Sequence, residues 1–173
     1  MVAAVIVVVA CASTAWAQRP PALPPMRPDA TLFVGAMVPN TRPALGGAFG
    51  GGGSIVRFEV EVARTLGRAS STHPSAGGVS VNALVQSRPS SRRVQLYGTG
   101  GFGLFGETFE GGAGSGEVLA KNIGGGAKIG LAGPLRLRLD YRVFILGDAP
   151  DANPGITLQR HPQRLSIGLN LMF

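Results

Sequence analysis

The stretch RLSIGLNLMF, residues 164–173, decides how the rest of the chain is read. Leu165, Ile167, Leu169, Leu171 and Phe173 alternate with Arg164, Ser166, Gly168 and Asn170. A repeat of two is the signature of a β-strand with one apolar face. The same alternation returns in residues 135–146. There Leu135, Leu137, Leu139, Tyr141, Val143 and Ile145 share one face, and Arg136, Arg138, Asp140 and Arg142 share the other. Phe58, Val60 and Val62 oppose Glu59, Glu61 and Ala63; Val79, Val81, Ala83 and Val85 oppose Ser80, Asn82 and Gln86; Ile123, Ala127, Ile129 and Leu131 oppose Asn122 and Lys128.

Outside these stretches the composition supports the same reading. Only 14% of the 173 residues are charged, and 27 are glycine. Sparse charge and abundant glycine suit short strands and turns rather than helices. No window carries a sustained i, i+3, i+4, i+7 apolar pattern. The net charge is +7. The Lys and Arg residues are scattered and no nucleic-acid motif accompanies them, so anionic lipid is the expected partner and nucleic acid is not. The single cysteine, Cys11, lies in the N-terminal apolar run, so no disulfide is expected.

Residues 1–17 read as a signal peptide: an uncharged apolar core from Val2 to Ala10, then Ala15-Trp16-Ala17 as an A-x-A cleavage site. The run is too short for a transmembrane helix, which needs about 20 apolar residues. It lacks a basic n-region, which leaves room for a start upstream of Met1. Val8-Val9-Ala10-Cys11 resembles a loose lipoprotein box, with lipidation of Cys11 as the lesser alternative. Residues 18–28, QRPPALPPMRP, form an extended Pro-rich periplasmic linker, and residues 29–173 form the folded domain.

Within that domain eight strands are expected: Thr31–Val38, Leu45–Val56, Phe58–Thr65, Gly78–Gln86, Arg93–Phe105, Val118–Leu131, Leu135–Leu146 and Arg164–Phe173. Each is near the length that crosses a bilayer at a tilt. The first, third, fifth and seventh connections are expected to be long and the others tight. Such sorting of connections belongs to membrane barrels, which have short periplasmic turns and long extracellular loops.

Alternation alone fits two architectures. A soluble sandwich or lipocalin-like barrel turns its apolar face inward; a membrane barrel turns it to lipid, where every backbone group must be bonded and no edge is allowed. The export signal, the aromatic Phe173 and the loop asymmetry favour the second. The expected fold is therefore an all-β, eight-stranded antiparallel up-and-down transmembrane barrel. Its ionic side chains then face a lumen only wide enough for side chains. Glu59, Glu61, Lys128, Arg136, Arg138, Asp140 and Arg142 are expected to form a cross-lumen ion-pair network that plugs it, because buried charges must be paired. A wetter interior with looser pairs is the alternative. Glycines inside strands, such as Gly98 to Gly103 and Gly124 to Gly126, permit the curvature of a small barrel, with Phe49, Tyr97, Phe102 and Phe105 placed to cover them.

The series VQLYGTGGFGLF, NIGGGAKIGL, LRLRLDYRVFIL and RLSIGLNLMF resembles the small outer-membrane β-barrel proteins often called porin-like, of the OmpA/OmpX type. The likeness runs over residues 31–173 and is strongest after Val94. It implies location in the bacterial outer membrane and makes Phe173 a C-terminal assembly signal for the barrel-assembly machinery. It is specific for architecture and poor for activity. Nothing follows Phe173, so the peptidoglycan-binding domain of full OmpA proteins, and with it wall anchoring, is not expected.

Three function classes remain. The favoured one is a structural or envelope-interaction barrel working through its extracellular loops, with Arg64 and Lys121, on the lipid-facing parity near the rim, meeting lipopolysaccharide phosphates. Plain interfacial snorkelling is the other account of these two residues. Porin-like transport of small solutes is the second class, although eight strands leave no open channel. The third is lipid A deacylation: His73-Pro-Ser75 faintly resembles the His-x-Ser segment of that family, but it falls in a loop and no carboxylate orients the His. Asp148, Asp151, Asn153 and His161 match no Ca or Zn spacing. Gly50 to Gly53 and Gly124 to Gly126 lack the Lys-Ser/Thr and helix of a phosphate loop. No catalytic residue, metal ligand or cofactor is assigned, and a monomer is expected.

Overall fold

Alternating sequence becomes alternating structure in the computed structural model, which describes residues 27–38, 41–66, 75–88, 93–108, 116–147 and 161–173. The strands are β1 (Arg27–Val38), β2 (Arg42–Gly52), β3 (Val56–Thr65), β4 (Ser75–Gln86), β5 (Val94–Thr108), β6 (Gly116–Ala132), β7 (Leu135–Leu146) and β8 (Gln163–Met172). Each pairs antiparallel with its chain neighbour, and β8 returns to β1, so the sheet closes without an edge. Closure is staggered. Paired residues lead from Leu139 through Ile167, Val34, Leu45, Arg64, Gly77 and Gly106 to Glu117. That path returns to β7 roughly ten residues past its start, a shear that tilts the strands by about 35–45°.

The barrel has two unlike ends. At the terminal end lie Arg27, Phe173 and the facing ends of β2 and β3, β4 and β5, and β6 and β7; at the loop end lie the facing ends of β1 and β2, β3 and β4, β5 and β6, and β7 and β8. The expected sorting holds for the third and seventh connections against the second and sixth, but the fourth, expected to be tight, spans seven residues between Gln86 and Val94, as many as the fifth between Thr108 and Gly116. The first, expected to be long, is as short as the second. Asn40 and Pro43 are turn formers, but Pro43 sits inside β2 opposite Ala36.

Strand limits differ from expectation where inward polar residues resemble loop. β1 starts at Arg27, so Arg27 and Pro28 belong to a strand and not to the linker. Pro28 needs no ladder N–H there, and its carbonyl accepts the Phe173 N–H at 3.0 Å. β2 ends at Gly52, whose φ of 152° suits glycine, and Gly53 donates to the Val56 carbonyl at 2.9 Å. The turn therefore falls before Val56 rather than at Arg57, which begins the lumen face of β3. Residues 1–26, which include Cys11, the expected signal peptide and most of the expected linker, lie outside the described residues, as do His73, Asp148, Asp151 and Asn153.

Burial is inside-out. Leu32 is 74% exposed, Leu96 62% and Ile167 46%, whereas Arg138 is 3% and Arg142 0% exposed. An apolar belt girds the barrel, and the ionic side chains on the inward parity, from Asp29 and Arg57 to Arg142 and Arg164, are enclosed. A small apolar cluster closes the loop end of the lumen: Ala76, Phe105 and Ala120 pack with Met37, Val118 and Leu146. Elsewhere the interior is mostly polar, with Phe33, Leu84 and Phe144 buried among the polar side chains.

Candidate functional site in the barrel lumen

The strand period places every second residue inside, and β3 and β7 face each other across the ring. Glu59 and Glu61 thus meet Arg138 and Arg142 from the opposite wall. Arg138 grips Glu59 with both terminal nitrogens, at 2.5 Å to Oε2 and 3.1 Å to Oε1. Its Nη2 also donates to Asp140 Oδ2 at 3.0 Å. Arg142 reaches Glu59 at 2.7 Å, Glu61 at 3.1 Å and Asp140 at 2.9 Å. Such forked, charge-assisted bonds are the strongest kind available to side chains.

Tyr97 of β5 binds the centre together. Its hydroxyl donates to Asp140 Oδ2 at 2.5 Å and accepts from Arg138 Nε at 2.9 Å. Its ring lies 5.1 Å under the Arg138 guanidinium. Room for that ring comes from Gly126, where an added Cβ would sit 2.6 Å from the Tyr97 hydroxyl. Tyr97 does cover a strand glycine, as expected. Phe49 and Phe102 instead stand 62% and 60% exposed on the outer wall.

Two further clusters extend the network. Toward the terminal end Asp29 accepts from Arg57 at 2.9 Å, Lys128 at 3.0 Å and Asn170 at 3.1 Å. Toward the loop end Arg164 donates to Glu61 at 2.7 Å, and its guanidinium stacks 4.6 Å from the Phe33 ring centre. A void of about 30 Å³ beside Glu61, Asn122 and Arg164 has room for a water.

Of the seven residues expected in the network, Glu59, Glu61, Lys128, Arg138, Asp140 and Arg142 lie in paired positions. Lys128 meets Asp29 rather than a glutamate of β3. Arg136 stands apart at the terminal end, where its Nη1 donates to Gln95 Oε1 at 2.8 Å. The reason is height: it is the first inward residue of β7, below the level of every lumen carboxylate it was expected to reach. Sequence reasoning missed Asp29, Arg57, Arg164 and Tyr97. Arg164 shares parity with Ser166 and Asn170, a signal that could have found it. Asp29 and Arg57 sit where proline and glycine neighbours imitate loop. Arg64 and Lys121 are exposed on the outward parity, Lys121 level with Phe102 and Ile145. Among the described residues no group of three His, Cys, Asp or Glu side chains is arranged for a metal. Ser75 begins β4 and pairs with Thr108.

No family model matches the chain, and no curated protein matches it in sequence. Solved structures do. The N-terminal β-barrel domain of Pseudomonas aeruginosa OprF superposes with a TM-score of 0.64 at 13% identity, covering 85% of this chain and 97% of that one. Neisserial surface protein A gives 0.58 at 16% identity, covering 86% and 96%. A major outer membrane protein of Thermus thermophilus gives 0.56 at 15% identity, covering 86% and 100%. At such identities the likeness is one of fold, and the fold is that of the small eight-stranded outer-membrane barrels.

Proposed function

We propose that this chain is an exported protein of the bacterial outer membrane, a sealed barrel that serves the envelope structurally and through its loops. The observation that carries the reading is the inverted polarity: an apolar belt around a closed sheet that encloses a buried ionic network. In water that belt would be an aggregating surface; in hydrocarbon it is matched, and closure leaves the sheet no open edge. The loop end faces outward, with the long connections available to partners. Arg64 and Lys121 take lipopolysaccharide phosphates at the outer interface, and Phe173 is read by the barrel-assembly machinery. The lumen network, spanning Glu59 and Glu61 to Arg138 and Arg142, is the plug.

The reading is tested by refolding the full chain into vesicles. A heat-sensitive shift in gel mobility and protection of the strands from protease support it; a protein that stays soluble and unshifted contradicts it. Planar-bilayer recording then tests the plug. Silence is expected, and stable openings of one size would replace the sealed barrel with solute transport.

A further inference from the structure

Charge along the barrel axis is lopsided. The carboxylates of Asp29, Glu59, Glu61 and Asp140 are enclosed and paired in the lumen, and Glu107 and Glu117 lie at the loop end. Among the described residues the terminal rim therefore exposes no acidic side chain, while Arg27, Arg88 and Arg93 are exposed there. The β4–β5 connection, Ser87-Arg-Pro-Ser-Ser-Arg-Arg93, contains no acid in its sequence.

A cavity of about 390 Å³ opens in this rim between the start of β5 and the β6–β7 turn. Arg93, Gln95 and Arg136 line it together with Val94 and Leu131. Gln95 ties Arg136 in place: its Oε1 accepts from Arg136 at 2.8 Å, and its Nε2 donates to the Ser87 carbonyl at 2.8 Å. That bond orients the guanidinium without neutralising it. Arg93 is held in the left-handed region, with φ at 59°, by the bond from Gly130 N–H to its carbonyl at 2.8 Å. A non-glycine residue fixed there is a strained feature of the kind found at ligand clamps. The irregularity between Gly130 and Ala132 adds Leu131 to the cavity wall.

Val94 and Leu131 are 38% and 45% exposed and belong to the outer apolar belt. The cavity is thus lined both by apolar residues of the belt and by two guanidinium groups that lack a described carboxylate. Its occupant must be anionic at one end and apolar at the other. We infer that this cavity binds the phosphodiester headgroup of an anionic phospholipid from the leaflet at the terminal end, Arg93 and Arg136 taking the phosphate oxygens and Val94 and Leu131 the first acyl carbons. Arginine matches phosphate with two parallel bonds, which suits a site of this shape. The inference rests on the membrane reading above and deepens it by naming a lipid class and a site.

The test uses the full chain refolded in phosphatidylethanolamine vesicles, transferred to detergent, and titrated with phosphatidylglycerol under native mass spectrometry. Wild type is expected to retain phosphatidylglycerol in preference to phosphatidylethanolamine. Arg93→Gln and Arg136→Gln each weaken retention by about tenfold, the worth of one charge-assisted bond. Arg88→Gln, which removes the same charge from the rim outside the cavity, leaves retention unchanged. Inorganic phosphate alone competes only weakly. Undiminished binding in the Arg93→Gln/Arg136→Gln double variant overturns the site. So does an equal loss on Arg88→Gln, which would mean diffuse attraction. Phosphate competing as well as lipid overturns the lipid as ligand. If wild type folds in the vesicles yet retains no phosphatidylglycerol, this inference alone falls; if it never inserts, the membrane reading falls first.

Discussion

Glu59 bridges the two central guanidinium groups of the lumen, since it accepts from both Arg138 and Arg142. Glu59→Gln removes the charge and leaves two enclosed guanidinium groups short of a partner. The expected loss is about 3–5 kcal/mol of folding stability in vesicles, read from urea unfolding. Adding Arg138→Met to that variant should recover part of the loss, because a buried pair replaced on both sides costs less than one broken on one side. A loss no larger than that of an exposed-charge variant such as Arg88→Gln would show that the lumen is wet and the pairs loose. Gly126→Ala tests the packing of the same centre. Its Cβ would collide with the Leu139 backbone carbonyl and meet the Tyr97 hydroxyl at 2.6 Å, so the β6–β7 backbone and the ring must both shift, for a cost of about 1–3 kcal/mol by the same assay.

At the level of the strand, parity assigns each side chain its solvent. β8 turns Leu165, Ile167, Leu169 and Leu171 outward and Arg164, Ser166 and Asn170 inward. Leu169 is 52% exposed, opposite Leu32 and Leu137. Leu169→Arg is expected to cost about 2–4 kcal/mol if that position lies at bilayer mid-depth, falling toward zero nearer an interface. The measurement is urea unfolding in vesicles, compared with the same change in detergent. A neutral result in both would mean that the outer face does not meet hydrocarbon. β1 shows where local propensity misleads. Pro28 and the proline-rich run before it argue against a strand, yet Asp29 at the third position of β1 makes two ion pairs and draws the strand past Pro28.

Taken whole, the molecule is a closed ladder whose interior is linked from wall to wall, and it should unfold as one unit. Probes on opposite strands, such as fluorescent labels on β3 and β7, are expected to report one urea midpoint; separate midpoints would mean that the walls are not coupled through the lumen. The sequence alone determined the strand number and which side chains of a strand share a face, because a repeat of two is local and survives any arrangement of the strands. It also placed Glu59, Glu61, Arg138, Asp140 and Arg142 on one enclosed side. Only the tertiary structure decided who meets whom. Whether Arg136 or Arg164 reaches a carboxylate depends on height along the barrel, and height is set by the stagger on closure, which no single strand encodes. For the same reason Lys128 meets Asp29, a residue distant in the chain and hidden among turn formers. Pairing across a ring is a property of the closed ring.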